Sequence, residues 1–461
     1  MEIRIENLGA IKQATFTLGD LTIICGHNNT GKTYATYALF GFLYSWRELF
    51  TIKIDNDKID KLLLDGVIHI DIQEYVNQVE KIVAKGCKLY TQQLSKIFAS
   101  QADRFKQTDF SITFNIQDIS LDSQFDRKIS SGEVALFSTT KNTHSTDLIV
   151  TLLVEKEKAK IPIEILKHII SNHLKDIIFG KIFPRPFIAS AERTGAAIFR
   201  KELNFARNRL LEEMGQADKT VDPMALLLKE YEDYALPIKT NVDFTRNLEA
   251  IAKKTSFIAE NYPDILVDFA DIIGGEYKVN RNDELYYTPK GKRIRLSMDE
   301  SSSGVRSLLD IGFYLRHEAK QGDLLMVDEP ELNLHPENQR RVARLLARLV
   351  NLGIKVFITT HSDYLIKEFN TLIMLNQNKP YIKQIAKAEG YRQVELILWE
   401  KVKVYIAEET TAVLPGKIKK TKFNTLTLAN IDPELGIQAP SFDKTIETMN
   451  RIQEAIVWGE D

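Results

Sequence analysis

Apolar and polar residues alternate through the opening "MEIRIENLGAIKQATFT", which predicts short strands broken at "NLGA" and again at "LGD". "LTIIC" (Leu21 to Cys25) is apolar throughout, as expected of a strand buried on both faces. An apolar, aromatic helix follows from Tyr34 to Tyr44, then polar helical stretches between Glu74 and Ala99, then a return to period two in "FSITFNIQDI". From Glu192 to Ile273 helical spacing dominates, broken at "VDPM", "ALPIK" and "NYPD" into pieces too short for a coiled-coil arm. "EYKVNRNDELYYTPKGKRIRL" alternates like a hairpin, and beyond it "DLLMVDE" and "KVFITT" are two more buried-type strands separated by the helical "ENQRRVARLLARLV". Strands interleaved with helices define an α/β protein. Near the C-terminus "PSFDKTIETMNRIQEAI" offers Ser441 or Asp443 as N-cap and puts Ile446, Met449, Ile452 and Ile456 on one stripe, which must dock either on this chain or on a partner.

Composition narrows the partners rather than the fold. The 61 basic and 63 acidic side chains nearly cancel, so no global charge draws the chain to nucleic acid or an anionic membrane. Two cysteines, Cys25 and Cys87, do not make a disulfide framework, and no apolar run reaches membrane-spanning length. The expectation is a cytoplasmic protein.

Candidate chemistry begins directly after the buried strand. Gly26, His27, Asn28, Asn29, Thr30, Gly31, Lys32 and Thr33 form G-x-x-x-x-G-K-T between a strand and a helix, the pattern of a phosphate loop. Its glycines let successive N–H groups face phosphates, Lys32 reaches the β and γ oxygens of ATP, and the Thr33 hydroxyl ligates Mg²⁺. "LLMVDEP" ends a strand in Asp328, a second metal residue, and Glu329, placed to take a proton from the attacking water. "FITTHSD" puts His361 just past the next strand, where an imidazole can meet the γ-phosphate or that water, or can be structural. "SSSGVRSLLD" reads two ways: Ser302, Ser303 and Gly304 cap a helix, or they close over a nucleotide.

The stretches "IRIENLGAIKQATFTLGDLTIICGHNNTGKT", "SSSGVRSLLD", "MVDEPELNLHPENQ" and "FITTHSD" resemble, in this order, the ABC-type ATPase heads of the chromosome-maintenance, RecF-like and OLD-type proteins. "DEPELNLHP" is similar to the OLD-like branch found in phage defence. His27 and Ser303 depart from the usual proline and glycine, and no glutamine loop is assignable. The resemblance implies an ABC-type P-loop head with N-terminal strands and an inserted, mainly helical region. Its parts would be 1–191 with the phosphate loop, a helical insert at 192–274, 275–400 with the signature, the acidic pair and the histidine, and an extension at 401–461 packing on the head. It further implies a homodimer, or a higher even oligomer, in which Ser302, Ser303 and Gly304 cap the ATP held by the partner's loop.

No nucleophile triad, metal cluster or DxD pattern is visible, so the output is expected from an effector partner, such as a nuclease encoded nearby. The alternative is a RecF-like clamp that binds DNA directly. Its basis would be Arg340, Arg344 and Arg348 on one helix face, "KIKKTK" (Lys417 to Lys422) and "PKGKRIR", all of which are otherwise solvated faces. Pro263, Asp264 and "EYK" (Glu276 to Lys278) match a loose nuclease pattern, but the aspartate falls in a helical region where a strand is needed. "ASAERTG" (Ala189 to Gly195) resembles a recurring segment of the OLD-like branch, which implies that Arg193 communicates with the ATP site; the alternative is a local salt bridge with a nearby acid.

Overall fold

The computed structural model describes residues 1–131, 134–153, 162–200, 234–280, 284–413, 419–438 and 440–458. The chain divides into two compact units, a smaller one of Met1–Arg4, Phe42–Gln93 and Asp109–Arg185, and a larger one of Ile5–Gly41, Leu94–Thr108 and Pro186–Asp461. Strands are numbered along the chain. β1 (Glu2–Leu8), β2 (Ile11–Thr17) and β3 (Leu21–Gly26) open it, and β4 (Val67–Asp71), β5 (Asp109–Thr113), β6 (Phe125–Ser131), β7 (Val134–Lys141) and β8 (Asp147–Leu152) belong to the smaller unit. β9 (Pro186–Ala189), β10 (Gly275–Val279), β11 (Leu285–Pro289), β12 (Leu324–Asp328), β13 (Lys355–Thr360), β14 (Val402–Val413) and β15 (Lys420–Leu428) belong to the larger.

In the larger unit the sheet runs β1-β2-β15-β14-β3-β13-β12-β9. β14, β3, β13, β12 and β9 are mutually parallel, in registers that set Cys25 beside Thr360, Asp328 beside Thr359, and Gly26 beside Ala407. The "LTIIC" run is buried at every position, as its unbroken apolar character requires. Parallel strands share polarity, so β3, β12, β13 and β9 deliver their carboxyl ends, and the loops after them, to one edge of the sheet. Ligands of open α/β sheets gather at such an edge.

The segments expected at 192–274 and 401–461 both belong to the larger unit. In the segment after residue 400, β14 pairs with β3 and lies within the sheet. The reason is legible in "VKVYIA", where Val404, Tyr405, Ile406 and Ala407 are all buried, as an interior strand demands. The described helices of the 192–274 region are likewise part of the larger unit. Leu248, Ile251, Ile258, Ile265, Phe269 and Ile272 join the same core as Ile23, Val327, Leu346 and Ile358. Burying each such side chain stabilises by roughly 1.5–3 kcal/mol, so these helices hold the unit together.

The smaller unit carries its own antiparallel sheet, ordered β4-β8-β7-β6. Its aromatic core includes Trp46, Phe50, Phe179 and Phe183, with Phe50 and Phe179 ring centroids 4.9 Å apart in edge contact. The C-terminal helix Pro440–Trp458 leaves Met449, Ile452 and Ile456 exposed at 56%, 48% and 76%, so these residues do not dock on their own chain. The side chains of Ser441, Asp443 and Ile446 lie outside the described residues.

Candidate active site

The loop after β3 is shaped by two glycines that no other residue could replace without movement. Gly26 has φ 137°, and a Cβ there would overlap the carbonyl oxygen of Ala407 on β14. Gly31 has φ 101°, and its Cβ would stand 2.5 Å from the Ile11 side chain. Between them Asn29 adopts a left-handed φ of 63°, and the Thr30 hydroxyl donates to His27 O at 2.8 Å, closing the turn. Asn28, Asn29 and Thr33 are exposed, whereas Lys32, which opens the helix Lys32–Leu49, is buried. Its ammonium donates to Gly26 O at 3.0 Å and His27 O at 2.7 Å. Burial pushes its pKa below the ordinary lysine value, and the carboxylates of Glu329 and Asp328 oppose that fall.

Asp328, the last residue of β12, is buried, with Oδ1 accepting from the Thr359 hydroxyl of β13. Its other oxygen, Oδ2, is buried with no hydrogen-bond partner. Burial, helped by Glu329 and Glu192, pushes this carboxyl up to about 6 against the hydrogen bond from Thr359. Glu329 sits in the left-handed region at φ 53°, a backbone strain of about 1–3 kcal/mol that only fixed surroundings maintain. Those surroundings are the Thr359 carbonyl, which accepts the Glu329 N–H at 3.1 Å, and Arg193, which donates to the Glu329 carbonyl at 2.7 Å. The Glu329 carboxylate lies 3.4 Å from His361 Nε2. That imidazole is the main reason its pKa falls below the ordinary glutamate value, with Lys32 adding to the effect.

The histidine is held in turn. Glu331 Oε1 accepts from the His361 N–H at 2.7 Å and from the Thr360 hydroxyl at 2.8 Å, and Ser362 caps the helix Asp363–Met374. Lys32, Asp328, Glu329 and His361 therefore meet at the carboxyl ends of three adjacent parallel strands. Asp328 suits a magnesium ion's water shell, because its Oδ2 is a buried acceptor without a hydrogen-bond partner.

Ser302 caps the short helix Ser303–Ser307, its hydroxyl oxygen accepting from Val305 N–H at 3.3 Å. Ser302 thus caps its own chain's helix. A serine hydroxyl that accepts one bond keeps its own proton for another acceptor. Gly304 abuts the loop after β12, where a Cβ would be 3.1 Å from Asn333 O. Arg306 pins the preceding turn by donating to Met298 O at 3.0 Å and Ser301 O at 2.8 Å. Among the described residues no hydrogen bond joins Ser302, Ser303 or Gly304 to the Gly26–Thr33 loop.

The arginine stripe is matched by acids. Arg340 and Arg344 both donate to the buried Glu368, at 2.7 and 2.6 Å, and Arg344 also stacks on Tyr391. Arg348 pairs with Asp264 and Asp268. Asp264 lies in the first turn of the helix Pro263–Ile273, not on a strand, and is engaged by Arg348. Lys417 lies outside the described residues, and Lys422 pairs with Glu409 at 2.6 Å.

Sequence reasoning did not find Glu331, Thr359 or Glu192. Glu331 stood two residues beyond Glu329 and Thr359 two before His361, both readable only once β12 and β13 are known to be neighbours. Glu192 accepts from the Tyr37 hydroxyl at 3.1 Å and acts on Asp328 from the loop after β9. Arg193 makes no salt bridge among the described residues, but it reaches the candidate site through the carbonyls of Asp328 and Glu329. Fully buried, it bonds only main-chain oxygens.

A phosphate loop, a buried aspartate and an ionised glutamate at the carboxyl edge of a parallel sheet define a P-loop ATPase site on an α/β fold. Residues 1–366 match the family model of the AAA ATPase domain, and the chain belongs to that family. No curated protein matches it. Among solved structures, the SMC head domain from Thermotoga maritima is similar at 9% identity and a TM-score of 0.32, covering 93% of this chain and 98% of that one. The Smc head domain with an extended coiled coil bound to the C-terminal domain of ScpA, from Pyrococcus furiosus, is similar at 13% identity and a TM-score of 0.30, covering 98% of each chain. No helix among the described residues is long and apolar enough to cross a membrane.

Proposed function

We propose that the chain is a Mg²⁺-dependent ATPase that dimerises around ATP, each copy's Ser302, Ser303 and Gly304 capping the nucleotide in the other's Gly26–Thr33 loop. The carrying observation is the convergence of one ammonium, two carboxylates and one imidazole at the sheet edge. Lys32 exchanges its two loop carbonyls for the β and γ oxygens and balances their charge. Thr33 and Asp328 would hold magnesium, which neutralises charge developing on the phosphates. Glu329, kept ionised and aimed by His361, takes the proton of the attacking water.

The reading extends to a cytoplasmic sensor or switch that controls an effector protein in antiphage defence. Its support is the likeness of "DEPELNLHP" to the OLD-like branch. A direct DNA clamp is less favoured, because Arg340, Arg344 and Arg348 spend their charge on Glu368, Asp264 and Asp268. Calorimetry tests the core of the reading: Lys32→Ala should lose ATP affinity by at least about tenfold, the worth of a single charge-assisted bond. Equal affinity in both proteins would remove the assignment. For the defence role, phage plating on cells carrying the gene and its neighbours should fall, and Lys32→Ala should restore it. Equal plating with and without the genes would refute that role.

A further inference from the structure

Arg193 is among the largest fully buried side chains, yet among the described residues no carboxylate forms a salt bridge with it. Its guanidinium spends its donors on main-chain oxygens from three separate segments. Nε donates to Ser307 O at 2.6 Å, Nη1 to Ser190 O at 2.8 Å and Asp328 O at 2.6 Å, and Nη2 to Glu329 O at 2.7 Å. Ser307 ends the helix that begins at Ser303, at the break before the next short helix, Leu309–Phe313. One rigid planar fork thus spans the end of the capping helix and the peptide that carries the proposed base.

A second path runs parallel to the first. Asp310, three residues past Ser307 and fully buried, accepts from the Asn241 amide and, at 3.0 Å, from the Thr245 hydroxyl. Asn241 Oδ1 in turn accepts from Ser190 N–H at 2.9 Å. Ser190 is the residue whose carbonyl Arg193 holds, so the capping segment and the β9 loop are joined twice. Any displacement of Ser303–Ser307 must either carry Arg193 with it or leave buried carbonyls unpaired, at about 1–3 kcal/mol each. Carrying Arg193 moves the Glu329 carbonyl, and Glu329 already sits in a strained conformation with its N–H fixed to β13.

We infer that Arg193 is a positioning residue that couples the seating of the Ser302–Ser307 segment on a nucleotide to the orientation of Glu329. The inference rests on the proposal that this segment caps ATP and that Glu329 is the base. Arg193 touches no reacting atom. It lets the base adopt its working geometry only when the capping helix is in place, so one site's closure sets the other's readiness to hydrolyse.

Arg193→Lys keeps the charge but cannot bridge Ser307, Asp328 and Glu329 at once. The expected result is unchanged ATP affinity with kcat lowered about 100-fold, the usual effect of misplacing a catalytic group by about 1 Å. In the Glu329→Gln background the same change should have no further effect, because the group it positions is gone. Loss of ATP affinity in parallel with activity, or an undiminished effect in that background, would show a merely structural role. Wild-type turnover abolished by Lys32→Ala establishes the ATPase separately, so a normal rate in Arg193→Lys would overturn the coupling alone. Should the variant fail to fold, amide exchange on the unmodified chain decides. Ser307–Leu309 and Glu329–Leu332 should gain protection together on adding ATP and Mg²⁺, and protection of one without the other overturns the inference.

Discussion

Gly26→Ala tests the placement of β14 and the shape of the phosphate loop at once. At φ 137° an alanine carries the left-handed penalty, of order 1–3 kcal/mol. Its methyl would also overlap the Ala407 carbonyl, which belongs to a strand on the other side of the β3 ladder and cannot swing aside like a flexible side chain. Relieving such an overlap by moving backbone costs roughly a further 1–3 kcal/mol. The sum is about 4 kcal/mol. Gly322→Ala is the matched control in the same unit, with φ 83° and nothing within 4 Å of the added methyl, so it carries the backbone term alone, of order 1–3 kcal/mol. Urea unfolding of both variants gives the difference directly, and calorimetry should show weakened ATP binding in the first only. If Gly26→Ala costs no more than Gly322→Ala, β14 does not lie against Gly26 and the sheet order is wrong.

Two further outcomes follow from the site and its surroundings. Glu368→Gln leaves Arg340 and Arg344, both partly exposed, facing a neutral amide, so thermal unfolding should show a loss of about 1–3 kcal/mol; an unchanged melting temperature would show that the arginine stripe is not held there. Glu329→Gln should bind ATP as well as the wild type while hydrolysing it at least about 100-fold more slowly, and a normal rate would mean that the water is activated elsewhere.

The site was more legible than the fold around it. Gly26–Thr33, Asp328, Glu329 and His361 stood beside unbroken apolar runs, and such runs reveal both a buried strand and which end of it meets the ligand. β14 escaped notice because its outer half, "EETTAV", alternates like an edge strand and hides the buried "VYIA" before it. The helices near 236–273 looked like an insert because their periodicity shows that an apolar face exists, not what covers it; Phe269 and Ile265 turn out to face the main core. Arg193 could not be understood from sequence, since all its partners are backbone oxygens from segments more than a hundred residues apart in part of the set. A carbonyl leaves no mark in a residue pattern.

Mixing two defective chains tests the central claim that a site is completed in trans. Ser302→Arg spoils the cap a chain offers but leaves its phosphate loop intact, and Lys32→Ala does the reverse. Each should be inactive alone. Heterodimers should regain about half of the wild-type turnover per dimer, because one intact loop then meets one intact cap. Heterodimers shown to form yet lacking any turnover would contradict the account.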